Sequence, residues 1–585
     1  MTSTHNQRLT LLREVLKREG LDGFIVPRAD EHLGEYVPAN AERLAWLTGF
    51  TGSAGLAVVL ADKAAVFSDG RYTLALARET DGEIWERRHI IEDRPEDWVR
   101  TNARGKCIGY DPWLMSPDAL KRFTDVEMMP VAFNPIDEIW ADRPAPPLAP
   151  AVPHGEEFAG EAAAAKRARL AANLRAAGQD AAILTDPSSL AWLFNIRGAD
   201  LEFCPFALGY ALLYADGTAR IFMAGEKITP ELREHLGPDV SLAERGDLPA
   251  ALEALADKTV RYDPASTPVW FETALHMSGA KIAEAADPVA LPRACKNEVE
   301  QAGTRAAHLR DGVAVVNFLA WLAATPGETE LSAAEKLLAC RVGGENFKGE
   351  SFPAISGAGE DGAIIHYRVT PETNRPIKPN EVYLIDSGGQ YLDGTTDITR
   401  TLWTGPDRAP SEIKANVTRV LAGHIALARA VFPEGVAGGH LDAFARQELW
   451  RAGLDYDHGT GHGVGSYLSV HEGPAGISRA AKPVPLAVGM ILSDEPGYYL
   501  PGGYGVRLEN LVLVQPADFP GALKKFLRFE TLTLVPFDRA LIDPSLLSAD
   551  ALAWLNDYHA RVEQALSPHL ETDAKTWLHA ACAPL

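Results

Sequence analysis

The first part of the chain alternates between apolar positions at helical spacing and short apolar runs. Residues 8–19 carry leucine and valine at a period near 3.6, which predicts an amphipathic helix that Gly20 ends. The run GFIVP at 23–27 predicts a buried strand, and two further strands are expected at 56–60 and 64–67. Helices that alternate with short apolar strands indicate an α/β domain.

The same order of elements returns after a proline-rich segment. Residues 144–153, PAPPLAPAVP, contain five prolines, and such a stretch is extended and stiff, as in a linker. Beyond it, a helix is predicted at 167–177 and a strand at 180–185. The tetrapeptide LAWL stands at 44–47 and again at 190–193, at a similar distance from the helix and strand before it.

We interpret this recurrence as an internal duplication that gives two tandem α/β domains, at 1–150 and 155–291. The alternative is the chance recurrence of a short apolar string. Residues 292–585 differ, because long predicted helices are mixed there with strands of antiparallel character, which indicates an α+β domain. The tail beyond residue 548 is predicted to be helical and is interpreted as core padding.

Composition limits the partners and the compartment. The 585 residues exceed the size of one ordinary domain, and Lys plus Arg (56) against Asp plus Glu (79) gives a net charge of −23. This balance argues against a nucleic-acid or anionic-membrane partner. The sequence contains no apolar run of about 18 residues, so no membrane span is predicted. The N-terminus lacks the apolar region of a signal peptide, and five scattered cysteines do not suggest a disulfide framework, so we expect a cytoplasmic protein.

The most unusual stretch is HGTGHGVGSYLSVHEGP at 458–474, which contains five glycines together with His458, His462 and His471. That many glycines indicate a backbone that passes close to another group. A neutral imidazole is a common metal ligand and also moves protons near neutral pH. The alternative is a glycine-rich surface loop with solvated histidines.

Four carboxylates flank this loop in contexts that suit a metal centre. Asp386 ends the apolar run VYLID, Asp397 follows in DGTTD, Glu495 follows ILSD, and Glu509 stands in GVRLEN. Four converging carboxylates would repel one another strongly, and two divalent cations would relieve that repulsion. Oxygen ligands with one imidazole, from His462, suit Mn, Co, Fe or Zn.

Several strings of the chain match a known family. They are FTGSAG and SDGRY in the first domain, and IDSGGQYLDGTTDITRT, LDYDHGTGHGVGSYLSVHEGP, SDEPGYY, GVRLEN and RFETLTLVPFDRALID in the last. The chain resembles the aminopeptidase P (Xaa-Pro aminopeptidase) family, in its long three-domain cytosolic form. The resemblance implies two tandem creatinase-like α/β domains followed by a catalytic domain with the pita-bread fold at 292–585.

The resemblance also implies a dinuclear site with five ligands, usually for manganese. Asp397 and Glu509 would bridge the two ions, Asp386 would bind one of them, and His462 with Glu495 would bind the other. Glu495 would in addition take part in catalysis.

Three further histidines match catalytic residues of the family that are not ligands, namely His366, His458 and His471. His366 and His471 would line the substrate site. From the residues alone, the alternative for His366 is a core histidine at the end of a predicted apolar strand, AIIH. For His458 and His471 the alternative is support of the neighbouring ligand.

The implied activity is hydrolysis of the bond between the first residue of a peptide and a proline at the second position, by a hydroxide that bridges the two metal ions. Glu495 would accept the proton of the attacking water and pass it to the proline nitrogen. One alternative is prolidase, which cuts only dipeptides; creatinase fits less well, because it lacks these ligands. A metal-free pita-bread module that binds peptides is the other alternative.

Two residues outside the metal site complete the expectations. Trp450 lies eight residues before His458, and the family implies a homodimer with a contact at this position; a core tryptophan is the alternative. Arg71, in SDGRY, matches an arginine that contributes to substrate binding in the family. Its alternative is a surface arginine that caps a turn.

Overall fold

The computed structural model describes residues 4–585, which fold as two compact units. The first unit contains the chain up to Glu156 together with Glu161–Ala290, and the second contains Glu157–Gly160 and Leu291–Leu585. Within residues 4–585, none of the helices combines the length and apolar character that crossing a bilayer requires. The domain limits expected near residues 150 and 291 stay predictions.

The N-terminal part of the first unit is a six-stranded sheet with the order β4-β3-β2-β1-β5-β6. Its strands are β1 Gly23–Pro27, β2 Leu56–Leu60, β3 Ala64–Ser68, β4 Glu86–His89, β5 Cys107–Tyr110 and β6 Glu127–Pro130. The helices are α1 Thr4–Arg18, α2 Arg43–Thr48, α3 Thr73–Glu79, α4 Pro95–Asn102, α5 Pro117–Leu120 and α6 Pro135–Ile139. Strand β1 pairs antiparallel with β2 and parallel with β5.

The second half of the first unit repeats this sheet. Its strands are β7 Ala181–Leu184, β8 Tyr210–Tyr214, β9 Ala219–Phe222, β10 Val240–Ala243, β11 Thr259–Tyr262 and β12 Lys281–Glu284, in the order β10-β9-β8-β7-β11-β12. Helix α7 Glu156–Ala159 precedes this half and, beyond Glu156, belongs to the second unit. The helices of this half are α8 Ala163–Ala176, α9 Pro187–Leu193, α10 Pro230–Leu236, α11 Leu248–Glu253 and α12 Val269–Ser278, and a short strand pair joins Val152–Pro153 to Ile196–Arg197.

The two sheets share strand order and strand direction, so the internal duplication is confirmed. In both, the first strand pairs antiparallel with the second and parallel with the fifth. The two LAWL strings occupy α2 and α9 in equivalent places. Both faces of the central strand β1 are buried, because successive side chains of a strand point to opposite faces of the sheet. Phe24 and Val26 pack with α1 on one face, and Ile25 packs with Trp98 on the other.

The second unit contains long helices and antiparallel sheets, as the α+β pattern predicted. The helices are α13 Ala290–Ala294, α14 Glu298–Ala324, α15 Glu330–Arg341, α16 Ser411–Ala428, α17 Asp442–Trp450, α18 Ala549–Leu566 and α19 Thr572–Ala581. The strands are β13 Phe347–Glu350, β14 Ile355–Ala358, β15 Val382–Ser387, β16 Gly389–Tyr391, β17 Gly394–Thr395, β18 Ile398–Trp403, β19 Val431–Pro433, β20 Gly461–His462, β21 Gly476–Ile477, β22 Ile491–Asp494, β23 Gly497–Leu500, β24 Tyr504–Arg507, β25 Asn510–Ala517 and β26 Phe526–Thr531.

Two of these sheets carry the candidate chemistry, with the orders β14-β15-β18 and β19-β26-β25-β22. Helices α16 and α18 pack together in one hydrophobic core, to which strand β24 also contributes. Trp554 and Trp577 lie partly buried against this core, so the helical tail is packed down as predicted. The ends of the strands remain available for polar side chains.

One element differs from the prediction. His366 does not end an apolar strand: a 3-10 helix, Gly359–Ala363, precedes it, and a turn follows in which Tyr367 N donates to Ile364 O at 3.0 Å. The backbone of Gly362 lies so close to Gly505 that a Cβ atom on Gly505 would collide with it. The backbone hydrogen bonds at 361–367 are those of turns and not of a strand ladder, so His366 lies in a turn.

Candidate metal centre

Strand pairing brings the first two candidate carboxylates together. Asp386 is the fifth residue of β15, and Asp397 directly precedes β18. These strands pair antiparallel with Asp386 opposite Thr399 and Ser387 opposite Ile398. Because one carboxylate ends its strand where the other begins its partner, both lie at the same end of the sheet.

The second sheet repeats this arrangement. Glu495 directly follows β22 and Glu509 directly precedes β25, and these antiparallel strands pair Asp494 with Asn510. Two hydrogen bonds then join the two sheets: Glu509 N donates to Thr399 O at 3.2 Å, and Thr399 Oγ1 donates to Glu509 Oε2 at 2.7 Å. The four carboxylates therefore come from two strand pairs that meet at their ends.

The glycine loop delivers His462 to the same place. A Cβ atom on Gly461 would collide with the carbonyl oxygen of Ser493, so the close approach to β22 requires glycine. The Nδ1 atom of His462 donates to Gly463 O at 2.9 Å, which leaves Nε2 as the ligand atom. That Nε2 atom lies 3.5 Å from Asp397 Oδ2 and 3.5 Å from Glu495 Oε1.

The resulting donor set could hold metal. Ligand atoms of Asp397, His462 and Glu509 lie within 4.8 Å of one another. Glu495 Oε1 lies 3.5 Å from the same imidazole, and the pairing of β15 with β18 places Asp386 at the end of the sheet where Asp397 stands. Among the described residues, Asp386 Oδ1 and Glu509 Oε1 are buried without a hydrogen-bond partner. Buried oxygens in this state fit a bound cation.

The protonation equilibria support this fit. Burial raises the pKa of Asp386 to about 6, with a contribution from the charge of Asp397 that Arg507 opposes. Burial and the neighbouring carboxylates likewise raise the pKa of Glu495 to about 7 and that of Glu509 well above its ordinary value. A site in which carboxylates resist ionisation lacks positive charge.

The imidazole shows the converse effect. Burial acts to lower the pKa of His462, but its hydrogen bond with Asp397 and the charges of Glu495 and Asp397 outweigh burial and raise that pKa to about 9. The protonated imidazole places a positive charge 3.5 Å from Asp397 Oδ2. Two divalent cations would replace it and neutralise the remaining carboxylates.

One protein cation stands beside the centre, and the sequence analysis did not identify it. Arg507 Nη2 donates to Asp386 Oδ2 at 2.6 Å, and Arg507 Nη1 donates to the hydroxyl of Tyr499 at 2.8 Å. Arg507 ends β24 and lies two residues before Glu509, which directly precedes β25. That spacing within GVRLEN was the available signal.

The histidines that are not ligands occupy three settings. His458 Nδ1 donates to Gly459 O at 2.8 Å, so its Nε2 accepts from the Tyr499 hydroxyl at 2.8 Å. The His471 ring lies edge-on to that of His462, with centroids 4.4 Å apart. His366 is half-buried, and the carbonyl of the preceding Ile365 accepts from Arg507 Nη1 at 3.3 Å. All three therefore lie within one or two contacts of the predicted ligands.

The two remaining candidates lie elsewhere. Trp450 ends α17 with 45% of its surface exposed, so its interpretation as a core tryptophan is wrong. Arg71 belongs to the first unit, in the turn between β3 and α3. Its Nη2 and Nε atoms donate to the carboxylate of Asp69 at 2.8 and 3.0 Å.

Comparison with known families defines the class of protein. Residues 302–516 match the model of metallopeptidase family M24, and residues 525–585 match the C-terminal region of peptidase M24. Residues 8–141 and 142–300 each match a creatinase/prolidase N-terminal domain. The fold and the donor set are thus those of an M24 metallopeptidase with the pita-bread catalytic domain and two creatinase-like domains.

Individual relatives narrow the class. A protein of Aspergillus fumigatus, named probable Xaa-Pro aminopeptidase P, is 38% identical over 100% of this chain and 93% of its own. The X-prolyl aminopeptidase of Caenorhabditis elegans, described as a cytosolic enzyme with a di-nuclear active site, matches with a TM-score of 0.94 and 33% identity over 100% of both chains. The dipeptidase PepE of Mycobacterium ulcerans matches with a TM-score of 0.51 and 26% identity over 64% of this chain and 96% of its own.

The chain belongs to the Xaa-Pro aminopeptidase P family and is a hydrolase. The family expected from the sequence is therefore confirmed.

Proposed function

We propose that this chain is a two-metal aminopeptidase that releases the first residue of peptides with proline at the second position. The observation that carries the proposal is the convergence of Asp397, His462 and Glu509 within 4.8 Å, with Asp386 and Glu495 beside them. The activity named for the Aspergillus and Caenorhabditis relatives supports it.

Five residues would hold the two ions. Asp397 and Glu509 would serve both ions, Asp386 would serve one of them, and His462 with Glu495 would serve the other. Carboxylate oxygens with one imidazole suit Mn²⁺, which we propose as the bound ion. When bound, the two cations supply Lewis acidity that activates a water and polarises the scissile carbonyl.

The chain's own residues then position the proton and the substrate. Glu495, whose Oε1 accepts from Ser493 Oγ at 3.1 Å, takes the proton of the attacking water and delivers it to the leaving proline nitrogen. His471, beside His462, and His366, beside Arg507, orient the peptide and donate to the developing oxyanion.

His458 has a supporting role in this proposal. Its Nε2 fixes the Tyr499 hydroxyl, which in turn accepts from Arg507 and so orients the guanidinium against Asp386. This chain of hydrogen bonds sets the orientation of one ligand carboxylate.

Two further proposals concern the substrate and the assembly. Arg71 contributes to binding peptide groups beyond the proline, since its guanidinium presents a fork of donors. The exposed Trp450 is the centre of a homodimer contact, because large exposed aromatic residues are enriched at interfaces. We place the protein in the cytoplasm, as described for the Caenorhabditis relative.

The activity is tested by product analysis. The Mn²⁺-loaded protein is incubated with an Xaa-Pro-Yaa-Yaa peptide, its N-acetylated form, an Xaa-Ala-Yaa-Yaa control and the dipeptide Xaa-Pro, and the products are identified by mass spectrometry. We expect release of the first residue from the first peptide alone among the three longer substrates. Cleavage confined to the dipeptide would favour the prolidase alternative, and no cleavage of any peptide would favour the binding module.

The homodimer is tested by sedimentation at micromolar concentration. Wild-type protein is expected to sediment as a dimer and Trp450→Glu as a weakened dimer or a monomer. The matched control is Phe444→Glu, which places the same charge at an exposed aromatic (44%) on the same helix. A monomeric wild type would refute the dimer, and equal weakening by both variants would remove the specific role of Trp450.

A further inference from the structure

Arg400 connects the metal-binding segments to the rest of the second unit. This arginine, 1% exposed, follows Asp397 by three residues in β18. Its Nη1 atom donates to Thr399 O at 2.8 Å and to Glu509 O at 2.6 Å. The guanidinium therefore links the backbone of Glu509 to β18, the strand that begins next to Asp397. Glu509 and Asp397 are the two predicted bridging ligands.

The other side of the same guanidinium faces the C-terminal region. Its Nε atom donates to Pro536 O at 3.1 Å, and its Nη2 atom donates to Val535 O at 2.7 Å and to the Tyr558 hydroxyl at 3.1 Å. The guanidinium carbon also lies 4.3 Å from the centroid of the Phe537 ring. Because the planar fork has fixed geometry and stays charged, its orientation depends on both sets of partners.

Tyr558, in the middle of α18, supplies a second link. Its hydroxyl contacts Val535 O at 2.8 Å and Thr533 O at 3.1 Å, and it lies 3.4 Å from Asn510 Oδ1. Asn510 directly follows Glu509, and its Oδ1 also accepts from Arg400 Nη2 at 2.8 Å. The ring of Tyr558 stacks on Trp554 with centroids 5.3 Å apart, which fixes the position of the hydroxyl.

Helix α18 also packs behind the other candidate ligand strand, through His424 of α16. His424 Nδ1 donates to the carbonyl of Asp494, the residue before Glu495, at 3.0 Å. The His424 ring packs edge-on against Trp554 and Phe537, with centroids 6.4 and 5.3 Å away. Aromatic residues of the C-terminal region therefore lie behind the backbone at both Glu495 and Glu509.

We propose that α18 is a positioning element for the metal centre, and that Tyr558 is its principal positioning residue. Acting through Arg400 and Asn510, its hydroxyl holds the backbone at Glu509 in the conformation that binds metal. This inference rests on the proposed two-metal function, and it assigns a role to a region that the sequence analysis interpreted as padding. Residues that orient metal ligands from behind characteristically tune metal affinity.

The test measures Mn²⁺ binding to the metal-free protein by calorimetry. Tyr558→Phe removes the hydroxyl and keeps the stacked ring, and we expect an affinity for Mn²⁺ lowered roughly 10-fold or more, on the scale of such supporting contacts. At saturating Mn²⁺, kcat and KM should return close to the wild-type values, because no group that touches the substrate has changed.

The matched control is Tyr504→Phe. Tyr504 belongs to the same core, and its buried hydroxyl accepts from Asn416 Nδ2 at 2.9 Å rather than from a residue beside a ligand. This variant should bind Mn²⁺ as the wild type does. Unchanged affinity in Tyr558→Phe, or an equal loss in both variants, would overturn the positioning role while leaving the proposed function intact. A wild type that binds no Mn²⁺ would overturn the proposed function itself.

A measurement on the wild type covers the case in which Tyr558→Phe does not fold. Coupling between two sites is reciprocal, so Mn²⁺ that benefits from α18 must in turn stabilise it. Hydrogen exchange should slow on Mn²⁺ addition in 549–566 and at the amides of Val535 and Phe537, which donate to Tyr558 and His559. Slowing confined to the ligand strands would contradict the inference.

Discussion

Asp311 and the carboxylates of the metal centre are similarly buried in the second unit but differ in what neutralises them. Asp311, 4% exposed, accepts from Arg341 Nε at 2.8 Å and from the Tyr391 hydroxyl at 2.9 Å. Burial acts to raise its pKa, but the charge and hydrogen bonds of Arg341 and Tyr391 outweigh burial and hold that pKa below its ordinary value. At the metal centre, burial and mutual repulsion raise the pKa of Asp386 and Glu509.

We interpret the difference as that between a structural carboxylate and carboxylates proposed to bind metal. Asp311 is paired with Arg341, so it is ionised and its charge is compensated by the protein itself. At the metal centre, Arg507 is hydrogen-bonded to Asp386 alone among the four carboxylates, and two buried oxygens lack a partner in residues 4–585. At Asp311 the protein itself supplies the compensating positive charge, through Arg341. At the metal centre that charge would come from bound cations.

The largest expected effect follows from removing a bridging ligand. Asp397→Ala or Glu509→Ala should lower the bound metal and reduce kcat by roughly 10³-fold or more, because two-metal stabilisation contributes several kcal/mol. Metal analysis of the purified variants and peptide kinetics measure both. The control is Asp393→Asn, which alters a nearby carboxylate paired with Arg310 and should keep both metals. Full activity in a metal-depleted variant would refute the bridge.

Removing the compensated carboxylate should instead affect stability. Asp311→Asn leaves Arg341 buried without its counter-charge, and the free energy of unfolding should fall by about 3–5 kcal/mol while two metals still bind. Because the folded pKa of Asp311 is lowered, its contribution is present above its unfolded pKa and is lost as pH falls, so the variant and wild type should converge in acid.

Denaturant unfolding with a matched exposed pair sharpens this test. Arg305 and Glu530 form a bidentate pair with side chains 42% and 33% exposed. Glu530→Gln should change the free energy of unfolding by less than about 1 kcal/mol. If Asp311→Asn were equally mild, the contrast between compensated and uncompensated carboxylates would lose its physical basis.

The histidines around the centre test which groups act without holding metal. His366→Ala and His471→Ala should each retain two metal ions and lose roughly 10²-fold in kcat, as expected for one oxyanion or acid–base group. The exposed His440 serves as control, and His440→Ala should leave kcat unchanged. Loss of metal together with activity in both variants would show that His366 and His471 are themselves metal ligands.

The smallest effect is expected at the part-exposed pair of Arg71 and Asp69, whose side chains are 26% and 20% exposed. Arg71→Ala should raise KM roughly 10-fold for Xaa-Pro-Yaa-Yaa, less for shorter peptides, and change kcat little, since a remote contact binds ground and transition states alike. Arg71→Lys, which keeps the charge but not the fork, should recover only part of the loss. An unchanged KM for the longer peptide would return Arg71 to a surface role.

The sequence predicted the residues that come together at the candidate metal centre, because each stands at the end of an apolar run or within the glycine loop. It also predicted the duplicated sheets, since the helix, strand and LAWL string recur in order. Partners distant in the chain were not accessible: Arg507 of β24 donates to Asp386 of β15 and to the Tyr499 hydroxyl of β23, and tertiary packing creates the contact with Asp386. His366 was wrongly placed in a strand because local apolarity carried no information about the turn at 364–367. Tyr558 was overlooked because its partner Arg400 lies 158 residues away in the chain.

The most direct test of the account is a titration of Mn²⁺ into metal-free protein, with bound metal counted and release of the first residue from Xaa-Pro-Yaa-Yaa followed in the same samples. We expect two equivalents of Mn²⁺ per chain, no cleavage before metal is added, and activity that rises with occupancy. Saturation below two equivalents, or Xaa-Pro cleavage by the metal-free protein, would contradict the assignment of these carboxylates as a dinuclear catalytic centre.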